Sequence, residues 1–320
     1  MTPQSSPLSP PSSVLRPEPL LVSLVPRRFE DGAWSGVPRF DWELRRIFPG
    51  LISLNTRFPS RLRLRLLAAR HPEAIVITGS ETSLLVPSSL RTIVMHHGCA
   101  QTHYDRDPEW RDRRARGWCR DQREMYRRPN RWYVAAARWT AAQFAAHYGV
   151  PEPPVIPHWV EPIQRPRDPN RTRKVVLGDF RTFNKGRDAL TPIAARVPEF
   201  EFRALSCTYE TRMDAYSAVD AYLCLSLSEG GSYALSDAEA ASLPIVTTDV
   251  GNYVEYQQAR VIRWQDRNDP EIVTAALRQA LREPRGESFF ERWTFDRWAA
   301  AWRALVEDVR VLGRRPPLKP

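Results

Sequence analysis

No apolar run in this 320-residue chain approaches the roughly 20 residues that cross a bilayer as a helix. The sequence therefore offers no membrane-spanning helix. Its four cysteines, Cys99, Cys119, Cys207 and Cys224, include no CxxC pair and no tight His/Cys spacing. That argues against structural zinc and a disulfide framework, and favours a reduced, cytoplasmic setting. The opening MTPQSSPLSPPSSVLRPEPL lacks the basic start and apolar centre of a secretory signal. Its proline and serine predict a disordered lead over residues 1–19. No repeat at a fixed period is visible.

What is present is an ordinary globular composition, 42% hydrophobic, enough to bury a real core. Net charge is +10, which suits anionic partners: nucleotides, nucleic acid or an acidic membrane face. A generally arginine-rich composition accounts for the same charge.

Short β-branched runs alternate with helical stretches. Leu20 to Val25, Gly50 to Asn55, Ala74 to Ser80, Arg91 to Gly98 and Trp132 to Arg138 read as strands. Between them lie helices around Phe40, Leu44 and Ile47, then over 61–70 and 140–148. A proline-dense segment, GVPEPPVIPHWVEP, reads as a crossing, after which the pattern restarts. Strands are expected at 174–180, 201–206, 221–228, 243–249 and 259–264, and terminal helices at 270–281 and 296–311. The spacing predicts two α/β halves with parallel sheets. The expected divisions are 20–152, 153–295 and a C-terminal helix over 296–320 that returns to the first half.

The most informative stretch is SLSEGGSYALSDAEAASLP, Ser226 to Pro244, which places Glu229, Asp237 and Glu239 beside apparent core. Eight helical residues rise about 12 Å, a strained separation for a hydrolase's acid/base pair. Carboxylates accept hydrogen bonds in pairs, which suits vicinal hydroxyls, so two acids holding parts of one long ligand is the more natural reading. Glu239 faces elsewhere and stays outside the site. In open parallel sheets ligands sit beyond the carboxyl ends of the strands, where Glu229, the 178–185 segment, His96 and His97 all lie.

SEGGSYALSDAEAASLPIVTTDVG resembles the signature of the retaining GT-B glycosyltransferases of family four: an acid, a glycine loop, a second acid eight positions on, and a run-out through Leu243, Pro244, Asp249 and Gly251. VVLGDFRTFNKGRDAL is similar to that family's strand–glycine–loop–Lys–Gly segment, with Lys185 and Gly186 as the pair, and IVMHHG to its strand ending in histidine. The resemblance implies an α/β GT-B fold: two Rossmann-like domains facing across a cleft, the first for the acceptor and the second for a nucleotide-sugar donor. It implies that Glu229 contacts the donor sugar and Asp237 the ribose. Lys185 and Arg181 would neutralise the departing diphosphate. Gly178, Gly230, Gly231 and Ser232 would line the donor, and His97, or else His96, would reach it from the first domain. Anomeric configuration would be retained, with the leaving phosphate taking the acceptor's proton, and neither metal nor other cofactor would be needed. Surface polysaccharide, lipopolysaccharide or glycolipid synthesis, on saccharide or lipid-linked acceptors, is the implied setting.

The chain departs from the pattern at several points. The second acid is normally Glu, the residue after the strand glycine is normally Arg where Asp179 stands, and His158-Trp159 replaces Asn-Gly. The alternatives are a sugar-nucleotide isomerase or phosphorylase on the same fold, or a non-catalytic binding protein. Asp105 and Asp107 form a DxD, which holds metal in the other glycosyltransferase fold; no metal is expected here. The stretch Asp105 to Trp132 interleaves arginines with Trp110, Trp118, Tyr126 and Trp132, diluted by six acids. It suits a solvated helix or contact with an anionic membrane face; nucleic acid is not expected.

Overall fold

The computed structural model describes residues 19–25, 36–56, 60–164, 173–313 and 315–318. The expected disordered lead lies outside these except for Pro19. The first sheet comprises β1 (Leu21–Val25), β2 (Ile52–Asn55), β3 (Ile75–Gly79), β4 (Arg91–His96) and β5 (Arg131–Ala135), in the order β2-β1-β3-β4-β5. The second comprises β6 (Lys174–Gly178), β7 (Phe200–Ala204), β8 (Ala221–Cys224), β9 (Ile245–Thr248) and β10 (Arg260–Ile262), in the order β7-β6-β8-β9-β10. Every pairing is parallel. The two halves thus share one doubly wound order, as the alternating pattern predicts. Ile75, Val76 and Ile77 are buried in succession, as befits a strand covered on both faces.

Several expected strands are a residue or two shorter, and two end three or more residues early, each for a local reason. The strand from Trp132 stops at Ala135 because the helix Arg138–Tyr148 begins three residues later. The strand from Ala221 stops at Cys224 because the chain then leaves the ladder and carries Glu229 toward the first half.

The proline-rich crossing runs alongside β5, with Ala135 N donating to Pro154 O (2.9 Å) and Ile156 N to Ala135 O (3.0 Å). Its Ile156, Trp159 and Val160 join one apolar core with Ile77 and Val134 of the first sheet and Tyr222 and Ile245 of the second. The helix Phe295–Val311 adds Trp298 and Trp302 to that same core. Truncating either tryptophan to alanine should cost about 3–5 kcal/mol. Beyond it, Asn130 clamps Arg315, N to O at 2.8 Å and Oδ1 to N at 3.0 Å. The C-terminal segment is therefore sewn to the first half.

Candidate active site

The strand order reverses between β6 and β8, and the space beyond their carboxyl ends is where a doubly wound sheet leaves room for a ligand. Two loops meet there. One follows β6 from Asp179 to Gly186; the other follows β8 from Leu225 to Gly231. Asn184 staples them: its amide donates to Ser228 O (3.2 Å), and it accepts from Ser228 N (3.0 Å) and Leu227 N (2.8 Å). Gly186 closes the first loop at φ +88, where a side chain would also strike Leu225.

That staple brings Lys185 onto Glu229. Lys185 Nζ donates to Glu229 Oε1, which also accepts from Ser226 Oγ at 2.6 Å. Burial works against the Lys185 ammonium, but Glu229 and Asp179 outweigh it and raise its pKa. Asp179 in turn takes two hydrogen bonds from Arg181, at 2.7 and 3.0 Å. Burial pushes its carboxyl up, yet Arg181 and Lys185 prevail and hold it below the usual range. Each cation thus sits beside an anion, with Lys185 shielded and a quarter exposed and Arg181 mostly in solvent at 64%.

The first half supplies the facing wall. Gly230 lies so close to β4's exit that an added Cβ would stand 1.5 Å from His97 O. Gly231 lies likewise against Ala136 and His158. His97 lines two cavities, of about 410 and 340 Å³, whose shared boundary also includes Lys185 and Glu229. Both fall within the usual volume of small-molecule sites, about 300–1,000 Å³. Burial pulls the His97 imidazole down to about 4, so the ring is neutral at pH 7, and its Nε2 has no partner among the described residues. The smaller cavity is flanked by Asp179, Arg181 and Leu205 at the ends of β6 and β7. The larger lies on the side of β3 and β4 and is lined by Glu81, Trp110, Trp118 and Gln122.

Lys185, Glu229, His97, Gly230, Gly231 and Ser232 are therefore brought together, with Arg181 at the rim. Three expected residues are placed differently. Asp237 is buried and lines neither cavity; both its oxygens accept from Arg39, at 2.8 and 3.1 Å, so its carboxylate is engaged across the domain seam instead of open to a ribose. His96 points into the β4–β5 core, bonded to Ser80 and Tyr126 at 2.9 Å each and stacked on Phe144 at 3.7 Å, so both ring nitrogens are satisfied. Gly178 lines neither cavity and is packed against Phe180 and Leu223 O instead. Ser232 lines the smaller cavity as expected, although it also caps the helix Tyr233–Ala240 and its amide is spent on Asn252 Oδ1 at 2.7 Å. Glu239 is structural, accepting from Arg285 and from Phe289 N.

The arginine-rich stretch also resolves differently along its length. Trp110 and Trp118 face the larger cavity, and Tyr126 and Trp132 are buried. Tyr126 and Trp132 are therefore not displayed for membrane or base stacking. Asp107 caps a short turn by accepting from Glu109 N (2.9 Å), while Asp105 accepts from Gln101 (2.8 Å). Among the described residues no group of three or more His, Cys, Asp or Glu is gathered as for a metal. None of the described helices is long and apolar enough to cross a membrane.

Sequence reasoning missed Arg39, Glu81 and Gln122. Glu81 had a usable signal, standing two residues past the glycine that ends a buried strand. Gln122 had none, being one polar residue in a charged helix.

No protein-family model matches the sequence, and no curated protein does. Solved structures do resemble the fold. Sucrose-phosphate synthase from Thermosynechococcus elongatus aligns with a TM-score of 0.65 at 12% identity, over 91% of this chain and 98% of that one. The lipopolysaccharide outer core galactosyltransferase WaaB, in its apo form, gives 0.57 at 11% identity over 91% and 99%. A UDP-forming α,α-trehalose-phosphate synthase from Burkholderia vietnamiensis gives 0.55 at 11% over 88% and 78%. The fold is that of the GT-B glycosyltransferases, as the resemblance implied.

Proposed function

We propose that the chain is a retaining glycosyltransferase that takes a sugar from a nucleotide-sugar donor and gives it to a saccharide or lipid-linked acceptor. One observation carries this reading: Lys185 and Glu229 meet at the β6/β8 switch point, on the boundary between two cavities and opposite His97. The smaller cavity would take the nucleotide and diphosphate, with Lys185 and Arg181 beside the phosphates. Glu229 would hold the donor sugar's hydroxyls, and neutral His97 would offer it one further hydrogen bond from the other domain. As the sugar–phosphate bond breaks, charge gathers on the departing oxygen, where a preorganised ammonium in a part-buried slot acts most strongly. The leaving phosphate takes the acceptor's proton, and no metal enters the scheme. Lys185 is one of only three lysines in the chain, which otherwise meets its basic needs with arginine. A compact point charge at this slot is consistent with phosphate contact.

A cytoplasmic setting at an anionic membrane face, in surface polysaccharide or glycolipid synthesis, fits the charge. Arg113, Arg116, Arg120 and Arg123 are exposed on the helix Arg113–Met125 and fall within an arc of about 80°.

A second reading, donor binding without turnover, is favoured by the engagement of Asp237 with Arg39. Thermal shift against UDP, GDP, ADP and dTDP sugars tests binding, since a ligand at about 100 times its Kd adds about 2.7 kcal/mol. UDP is the first to try, because the trehalose-phosphate synthase neighbour is described as UDP-forming. The expected result is a shift with one donor that Lys185→Ala abolishes. No shift with any donor would sink both readings. A shift without nucleotide release in a coupled assay, with acceptors supplied, would favour the second.

A further inference from the structure

We infer that the larger cavity is an acceptor subsite for an uncharged pyranose ring, held on Trp110 and Trp118 and gripped through its hydroxyls by Glu81. This rests on the glycosyl-transfer reading and names the acceptor's chemical class. The two indoles lie 5.3 Å apart between centroids at 45° to each other. Both are held in place: His103 stacks on Trp110 at 4.3 Å, and Arg114 lies over Trp118 at 4.8 Å. Glu81 is fixed from behind. Gln122, itself buried, donates to Glu81 Oε1 at 2.7 Å and to Gly98 O at 3.0 Å, while its own oxygen accepts from Ala100 N and Tyr148. Gln122 is thus anchored through three of its four hydrogen bonds and holds the Glu81 carboxyl beside the cavity with the fourth.

A pyranose has a face of C–H groups and a rim of hydroxyls. Indoles offer the first an apolar surface, and a carboxylate accepts from the second in pairs. Glu229 and Lys185 line the same cavity, so a ring seated there presents a hydroxyl toward the donor. A phosphorylated sugar would set its anion against Glu81, which costs affinity and makes the subsite selective by repulsion. This separates the chain from the neighbours described as sugar-phosphate synthases, although the fold is shared.

The test is saturation-transfer NMR on the full chain with methyl α-D-glucopyranoside, methyl α-D-galactopyranoside, methyl α-D-mannopyranoside and glucose 6-phosphate. At least one glycoside should show saturable transfer, and glucose 6-phosphate should bind more weakly than the glucoside. Trp118→Ala and Glu81→Ala should each weaken the glycoside about tenfold, roughly 1.4 kcal/mol, while the nucleotide-induced melting shift persists. Trp118→Phe and Glu81→Gln keep the question open to test if the alanine variants do not fold: each should bind the glycoside more weakly than wild type. Binding indifferent to every variant, tighter binding of the 6-phosphate, or no glycoside binding would each overturn the inference. Nucleotide binding without glycoside binding sinks this inference alone; glycoside binding with no response to any nucleotide keeps the subsite and sinks the transferase reading.

Discussion

Arg39, from the helix Gly36–Ile47 of the first half, forms a two-pronged pair with Asp237 of the second, 198 residues away in sequence. Both side chains are buried, and Arg39 also lies over the Tyr233 ring at 4.3 Å. A buried pair costs desolvation that its attraction roughly repays, but removing one partner strands the other. Asp237→Ala leaves Arg39 its bond to Glu43, so it should lower stability in urea unfolding by less than the about 3–5 kcal/mol of a wholly stranded charge. Because Glu43 also bonds Arg39, recovery of most of that loss should need the triple variant Arg39→Met, Glu43→Gln, Asp237→Leu, which leaves none of the three charges stranded. A triple variant no better than Asp237→Ala would show that these residues do not act as one charge cluster.

Gly230 should tolerate no side chain, because a Cβ there collides with the backbone of His97 on the other half. Gly230→Ala must push the two loops apart, so it should cut activity at least tenfold and lower the melting temperature. Gly117 is the internal control. It sits in the helix Arg113–Met125 with nothing near its Cβ position, so Gly117→Ala should stabilise by about 0.5–1 kcal/mol. Equal effects at the two sites would refute the close approach.

How far the sequence discloses this molecule depends on which forces write locally. Strand and helix positions follow from side-chain periodicity, and the alternation of Ile75 to Gly79 with its neighbours was enough to predict parallel sheets. Lys185 and Glu229 were legible because both follow strand ends, where topology alone places ligands. Asp237 was not, because its partner Arg39 lies in the other half and no local pattern announces a bond across the seam. The Arg39–Glu43 spacing suits a solvated helix face equally well, and only tertiary burial distinguishes the two. Trp110 and Trp118 stood out by type, but nothing in an arginine-rich run tells which way an indole turns.

Lys185→Ala should reduce kcat by about 10²–10³-fold if the ammonium meets charge that develops only as the donor bond breaks. Lys185→Arg should not restore wild-type rates. The slot is shaped around a point charge touching Glu229 and 4.0 Å from Asp179, and a planar guanidinium needs a wider berth. Steady-state kinetics on the identified donor decide it. Full activity of the arginine variant would show that charge alone matters there.

The arginine stripe of the helix Arg113–Met125 predicts binding to vesicles containing phosphatidylserine but not to neutral ones. Each basic residue near such a surface contributes about 1 kcal/mol at most, and salt screens the attraction. Replacing Arg113, Arg116, Arg120 and Arg123 by glutamine should abolish sedimentation with the vesicles while leaving nucleotide-induced melting shifts intact. Salt-insensitive binding would point to another surface.

Glu43 gives the domain seam a pH dependence. It is fully buried, shares Arg39 with Asp237 (Arg39 Nε to Glu43 Oε1, 3.0 Å) and accepts from the Tyr233 hydroxyl at 2.7 Å. Burial raises its carboxyl, and although Arg39 and Tyr233 pull it back, it stands at about 7 against an ordinary 4.5. Between those values the folded protein holds a proton that the unfolded chain has released. This group's stabilising contribution is therefore complete below pH 4.5 and is lost as pH rises through 7. Glu43→Gln fixes the neutral form and removes that slope. Relative to the variant, wild type should lose up to about 3 kcal/mol between pH 5 and pH 8 in urea unfolding. A wild-type-minus-variant difference that stays constant over that range would mean that Glu43 is ionised throughout, with Arg39 dividing its charge between two carboxylates at every pH.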